Sequence, residues 1–252
     1  MDAIVTAGGR ITGRFAQKAG TSIKALINLG GKTVIEILLS ALRKTPDISK
    51  IIVIGPISEL EASGACTLAD KIVPEGENGA ENFLIGLKIC AQADRVLFAA
   101  SDMPFIYSDV INHFIAMCPD TADLCYPIIN AGVFAETYPK HNVRSVKLKN
   151  GDFIGGCIFL INPKVLLANQ DIVENVFRSR KSIIKLAGLL GVRFLLGIIT
   201  HNISIEDCER RASSIFACTC KAVIERHPEI AFDLDKPQDY EYAIARLIEQ
   251  TK

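Results

Sequence analysis

Apolar residues come along this chain in short continuous blocks, separated by polar stretches of helical or turn character. "DAIVTA" (2–7) is a short, mostly apolar run and breaks at once into the glycine-rich "GGRITGRFAQKAGTSIK" (8–24). "KIIVIG" (50–55), "DKIVPEG" (70–76), "RVLFAASDMPF" (95–105) and "ADLCYPII" (122–129) repeat the pattern of an apolar run ending in turn residues, which predicts strands. Between them, apolar positions recur at helical spacing. Val34, Ile37, Leu38, Ala41 and Leu42 mark a helix over "KTVIEILLSALRK" (32–44), and Phe83, Leu84, Leu87, Ile89 and Cys90 mark one over "AENFLIGLKICAQA" (80–93). "ISELEASG" (57–64) and "YSDVINHFIAM" (107–117) read as further helices. Apolar strands alternating with helices predict a largely parallel sheet covered on both faces.

After about residue 132 the rhythm changes. "VRSVKLKNGDFIGGCIFLI" (143–161) predicts a two-stranded hairpin turning at Asn150-Gly151. Helical segments follow, from "PKVLLAN" (163–169) through "SIIKLAGLLG" (182–191). The chain is expected to rejoin the main sheet near "EIAFDLDKP" (229–237). It then ends in the helix "PQDYEYAIARLIEQ" (237–250), with Pro237 in its first turn. The expectation is one domain over 1–252, in which 132–227 is an insertion.

Composition narrows the function classes. Lys plus Arg equals Asp plus Glu at 28 each, which gives no general electrostatic case for nucleic acid. The eight cysteines are scattered, and "CTC" (218–220) has no second pair at finger spacing, so no zinc site is expected from them. The best apolar run, "LAGLLGVRFLLGIIT" (186–200), is too short for a membrane span and carries Arg193. A reduced, cytoplasmic protein is the expectation. The four histidines (His113, His141, His201, His227) stand in no motif and read as surface or core residues.

"GGKT" (30–33) ends as a phosphate-binding loop of ATPases ends, but that loop needs a glycine where Leu26 stands, and no buried strand precedes it. Gly30-Gly31 therefore read as a turn into the helix. In a parallel sheet, ligands sit beyond the carboxyl ends of the strands, and three polar stretches fall there. "TAGGRITGR" (6–14) offers Gly8 and Gly9 for close approach of phosphate oxygens, or only a turn. "SDMPF" (101–105) puts Asp102 at a strand tip, as a ligand or as a helix cap. "FDLDKPQDY" (232–240) puts Asp233 and Asp235 two apart, facing one side if they lie on a strand. Together, a phosphate cradle and carboxylates from two distant strand ends meet the needs of a magnesium–nucleotide site.

"AIVTAGGRITGRF…KALINLGGKTVIEILLSAL", "SDMPF" and "DLDKPQDY" resemble, in that order, the MobA-like nucleotidyltransferases, over residues 1 to about 110 and about 228 to 250. The resemblance implies a three-layer α/β/α, Rossmann-like sandwich of the glycosyltransferase-A type. It implies Mg2+-dependent transfer of a nucleoside monophosphate from a nucleoside triphosphate to a small acceptor, with loss of pyrophosphate. It also implies the residues: Ala7, Gly8 and Gly9 in the glycine-rich loop, with Arg10 beside them and Arg14 as loop arginine. Lys24 would be the phosphate lysine, Gly79 would flank the nucleotide, and Asp102 and Asp235 would hold magnesium, with Asp233 as rival. The segment between Gly9 and Lys24 is longer than the family's loop and leaves Lys18 as a competing lysine. The insertion would form the acceptor side, where Arg144, Lys147, Lys149, Arg178, Arg180, Lys181 and Lys185 supply positive charge and Gly155-Gly156 form either an approach or a bulge. Neither nucleic acid nor membrane is an expected partner, and a homo-oligomer is compatible with the sequence. A nucleotide-sugar transferase of the same fold and a non-catalytic nucleotide-binding protein are the rival readings.

Overall fold

The computed structural model describes residues 1–139, 141, 143–179 and 188–250. Its principal sheet is built around β1 (Asp2–Thr6), which pairs in parallel with β4 (Lys50–Gly55) on one side and β6 (Val96–Ala100) on the other. β5 (Lys71–Pro74) extends it in parallel beyond β4. These strands are apolar because both faces are covered: Ala3, Ile4 and Val5 are all fully buried. Helix α2 (Val34–Arg43) and α5 (Ser108–Met117) cover one face, and α4 (Gly79–Ile89) covers the other. With helices on both sides, this is the expected three-layer architecture.

β2 (Asn28–Leu29) and β3 (Lys32–Thr33) form a small hairpin around "GGKT", with Gly30 and Gly31 at φ of 66° and 100°. Only glycine takes that backbone at little cost, so the stretch is a turn that delivers Thr33 as cap of α2.

Beyond β6 the expected hairpin around Asn150-Gly151 is present, but its second arm is not continuous. Residues 151–161 are one strand broken in two. β10 (Ile158–Ile161) lies antiparallel between β6 and β7 (Leu124–Asn130), whereas β9 (Gly151–Gly155) runs along the far half of β7 and pairs with β8 (Val146–Leu148). The break falls at Gly156-Cys157. A Cβ on Gly156 would stand 2.7 Å from the Pro127 ring and 3.1 Å from the Ile230 carbonyl oxygen. A Cβ on Gly155 would overlap the Tyr126 hydroxyl. Both glycines are therefore packing positions inside the sheet.

The segment also rejoins the sheet earlier than expected, at β10 and again at β11 (Cys220–Glu225), which is parallel to β7. Residues 228–231 are a 3-10 turn, and Asp233 to Asp235 follow it outside any strand or helix. The segment "SIIKLAGLLG" lies largely outside the described residues. The helices Ala131–Thr137 and Ile205–Phe216, not anticipated from the sequence, are present.

Candidate active site

The polar stretches after β1, β5 and β6 meet beyond the carboxyl ends of these strands and wall a cleft of about 590 Å³. Gly8, Gly9 and Arg10 form one wall, Glu75 to Gly79 with Asn82 another, and Ser101, Asp102, Cys157 and Asp233 the floor. Phe98, Phe159 and Phe177 close the far end.

Lys24 reaches this cleft by an indirect path. The chain leaves the cleft after Arg10 and folds α1 (Gly13–Ala19). It returns where Arg10 bridges Ile23, where Ile11 N–H donates to the Ser22 carbonyl, and where Lys24 N–H donates to the Gly9 carbonyl at 3.0 Å. The extra length that separated Gly9 from Lys24 is thus an excursion pinned at its neck. Lys24 Nζ then donates to Asp102 Oδ2 at 2.7 Å and to Asp235 Oδ1 at 2.5 Å. Burial alone would lower the Lys24 pKa. The Asp102 and Asp235 carboxylates more than reverse this, so the ammonium is held well above its ordinary value.

Backbone hydrogen bonds fix the acidic segments to one another. Leu234 N–H donates to the Asp102 carbonyl at 3.2 Å. Cys157 links the two sides, accepting from Ala100 N–H at 3.0 Å and donating to the Ile230 carbonyl at 2.9 Å. The buried Asp239 holds the last loop: its Oδ2 accepts from Asp235 N–H and Lys236 N–H at 2.9 and 2.6 Å. Asp102, Asp233 and Asp235 each bring a carboxylate oxygen within 4.8 Å of the others. Burial, and then the charges of Asp102 and Asp235, raise the Asp233 carboxyl to about 7. Burial also pushes the Cys157 thiol well above its usual range, so it stays neutral.

The donor set fits a hard divalent cation. It is all oxygen, drawn from two separated segments, and Asp102 Oδ1 is buried with no hydrogen-bond partner. Such an orphaned anionic oxygen is costly unless a cation or donor meets it. Magnesium takes one or two carboxylates and leaves its other positions to water and phosphate.

Not every residue implied by the resemblance gathers here. Arg14 lies exposed on α1, close enough to Glu241 of the C-terminal helix Pro237–Gln250 to influence its charge, and it does not line the cleft. Lys18 forms an ion pair with the same Glu241, so Lys24, not Lys18, is the lysine inside the cleft. Ala7 is fully buried, its N–H donating to the Ile54 carbonyl at 2.7 Å, and it sits behind the cleft wall. Gly79, by contrast, does line the cleft, where it opens α4 after its cap Asn78, whose side chain accepts from Ala80 and Glu81 N–H. Of the basic residues assigned to an acceptor side, Arg144, Lys147 and Lys149 are exposed and outside the cleft lining. The Arg178 side chain, Arg180, Lys181 and Lys185 lie outside the described residues.

Two cleft residues, Glu75 and Asn82, are not singled out as site residues by the sequence. Glu75, at the end of β5, pairs with Arg10, whose Nη1 also donates to the Gly8 carbonyl at 2.8 Å. The buried Asn82 accepts from Gly76 N–H at 2.7 Å. Gly8 has no room for a side chain because Glu75 and Asn82 occupy that space. The sequence signals for Glu75 are its place at a strand end and in "EGENGAEN" (75–82), the stretch around Gly79 that loosely resembles the family's nucleotide-flanking segment.

The sequence model of the MobA-like NTP transferase domain matches residues 3–191. No curated protein matches the chain. Among solved structures, one described as a hypothetical transferase from Thermus thermophilus is 26% identical, with a TM-score of 0.85 over 95% of this chain and 98% of that one. The 4-diphosphocytidyl-2C-methyl-D-erythritol synthase of Anaerococcus prevotii DSM 20548 is 15% identical, with a TM-score of 0.60 over 98% and 95%. A CMP:2-keto-3-deoxy-manno-octonic acid synthetase in complex with CTP is 13% identical, with a TM-score of 0.57 over 99% and 98%. The last two likenesses speak for the fold alone.

Proposed function

The chain belongs to the MobA-like NTP transferase family and is a nucleotidyltransferase, and from that premise we propose that it moves a nucleoside monophosphate from an NTP to a small phosphorylated acceptor, with magnesium as cofactor and pyrophosphate as leaving group. The observation that carries this reading is the meeting of Lys24, Asp102 and Asp233 in a glycine-walled cleft, with the exposed Asp235 carboxylate hydrogen-bonded to Lys24.

In such a transfer an acceptor oxygen forms a bond to the α-phosphorus while the bond to the pyrophosphate oxygen breaks in line with it. Little covalent help is needed, because positioning and charge neutralisation do most of the work. The backbone N–H groups of Gly8 and Gly9 would meet the triphosphate, while the missing Cβ at Gly8 leaves room for Glu75 and Asn82 in the cleft wall. Lys24 is the cation that meets charge growing on the leaving group, its stem held against Gly9. Arg10 reaches the phosphates by giving up Glu75, an exposed pair of a type usually worth only about 0–1 kcal/mol. Asp102, with Asp235 or Asp233, would hold magnesium, which neutralises phosphate oxygens when bound. An acceptor that is itself a phosphate is ionised near neutral pH, so no general base is required of this chain. The acceptor enters from the side built by residues 132–227, which supply Cys157, Phe159 and Phe177 to the cleft.

The test is a pyrophosphate-release screen of the four common NTPs against a panel of phosphorylated small molecules. Release with one NTP and one acceptor class is expected. Silence across the panel, in protein that still binds nucleotide, would favour a binding role instead.

A further inference from the structure

The segments that carry Asp102 and Asp233 to the cleft are joined a second time, away from it, by residues that belong to no motif. α5 starts six places after Asp102 and carries His113. β11 ends at Glu225, and His227 follows just before the 3-10 turn Pro228–Ala231 that leads to Asp233. His113 Nδ1 lies 2.7 Å from Glu225 Oε2, and the two imidazole rings meet edge to face at 5.2 Å. One ligand atom from each of His113, Glu225 and His227 lies within 4.8 Å of the others.

The Glu225 carboxylate demands a cation. Its side chain is 0% exposed. Oε1 is satisfied by the backbone N–H groups of Arg226 and His227, at 2.7 and 3.1 Å, which leaves Oε2 turned toward the imidazoles. A buried carboxylate is costly unless a positive partner meets it. A protonated His113 is one such partner and a metal ion is the other. Two neutral imidazoles and one carboxylate are a donor set that zinc uses with a fourth position open, and that suits transition metals rather than magnesium. The surroundings are mixed. The Tyr107 hydroxyl lies 3.4 Å from His227 Nδ1, Arg226 Nε donates to His227 Nε2 at 3.2 Å, and Glu229 and Asp109 add negative charge. Arg226 and His227 make that hydrogen bond at the exposed side, so His227 can exchange it for a metal while Glu225 and His113 stay in place.

We propose that His113, Glu225 and His227 form a site for a zinc-class divalent ion, separate in place and in chemistry from the carboxylates of the cleft. An ion there clasps α5 to the segment that delivers Asp233 and Asp235.

The test uses the full chain, stripped with a chelator and titrated with zinc sulfate in excess magnesium chloride to occupy the all-oxygen cluster. Histidine ring 1H–15N signals and the thermal midpoint are followed. One equivalent is expected to bind and to shift the rings of His113 and His227, and binding is expected to weaken at least tenfold in His113→Gln and in the half-exposed His227→Gln. At zinc a hundredfold above its dissociation constant, the folding equilibrium of the wild type should shift about a hundredfold. Cobalt(II) in place of zinc should give a spectrum without a thiolate charge-transfer band. No binding would mean that the cluster is an ion pair only. Binding unchanged in His227→Gln, or a thiolate band, would place the ion on the cysteines. Either result overturns the proposal.

Discussion

Lys24 holds its ammonium between Asp102 and Asp235, where a divalent cation would also be drawn. Under the proposed function, lysine and metal would therefore compete for the same carboxylates until phosphate oxygens give the lysine another partner. Lys24→Gln should lower pyrophosphate release by on the order of a hundredfold, the usual cost of one donor aimed at developing charge. It should also tighten magnesium binding to nucleotide-free protein, as read by calorimetric titration. Weaker magnesium binding in that variant would show that the lysine organises the carboxylates rather than rivalling the ion. Gly8→Ala should raise the KM for NTP, because its methyl group enters the space of Glu75 and Asn82. Asp102, Asp233, Asp235 and Lys24 were legible in the sequence because each stands at a strand end or in a short motif. Glu75, Asn82 and Asp239 were not. Their work is done through hydrogen bonds to the backbone of Gly76 and Asp235 or across to Arg10, and no spacing rule announces such contacts. Arg14 shows the converse: a motif position that the α1 excursion turns toward the C-terminal helix.

Among the elements, α2 shows local rules acting together. Thr33 and Glu36 form a reciprocal capping box, and Val34, Ile35, Leu38, Leu39 and Leu42 bury one face. Hydrogen bonds from the Thr33 N–H and hydroxyl hold the Glu36 carboxyl below its usual value. A carboxylate with a depressed folded pKa stabilises above its unfolded value and loses that contribution as pH falls through the folded one. Chemical denaturation should thus show Thr33→Ala destabilised by about 1 kcal/mol at pH 7, and Glu36→Gln destabilised at pH 7 with the difference closing well below pH 4.5. A difference that persists in acid would put the effect on packing instead. In α4, a Cβ on Gly86 would come within 2.5 Å of Ile4 Cγ2 and 3.1 Å of Ile54 Cδ1. Gly86→Ala should cost about 1–3 kcal/mol in the same measurement, as overpacking does. The periodic elements α2, α4, β1, β4 and β6 were readable because each is apolar on the face or faces it buries. β10 was hidden because "GDFIGGCIFLI" reads as one strand, and its break depends on Tyr126, Pro127 and Ile230, distant in sequence. β11 was hidden because "CKAVIE" is short and exposes Ile224.

At the scale of the molecule, the sheet gathers distant sequence beyond the carboxyl ends of its parallel strands. β1, β5, β6 and the broken strand 151–161 all contribute to one cleft, and the Asp102–Leu234 backbone hydrogen bond joins its two acidic arms. A net charge of zero leaves no long-range field to draw in a polyanion, so under the proposed function triphosphate recognition would rest on the local charges Arg10 and Lys24. Among the described residues no helix is long and apolar enough to cross a membrane. A parallel sheet covered on both faces was legible from alternation, whereas the path of residues 132–227 was not, because β10 enters the sheet antiparallel and out of chain order between β6 and β7 and β11 joins β7 in parallel. The most direct measurement is pyrophosphate release as a function of magnesium in the wild type and in Asp102→Asn, with unchanged thermal unfolding as the control for folding. The wild type should show a saturating dependence on magnesium, and the variant should fall by on the order of a hundredfold at every concentration. Equal turnover in the variant would contradict the assignment of this carboxylate cluster as the catalytic centre.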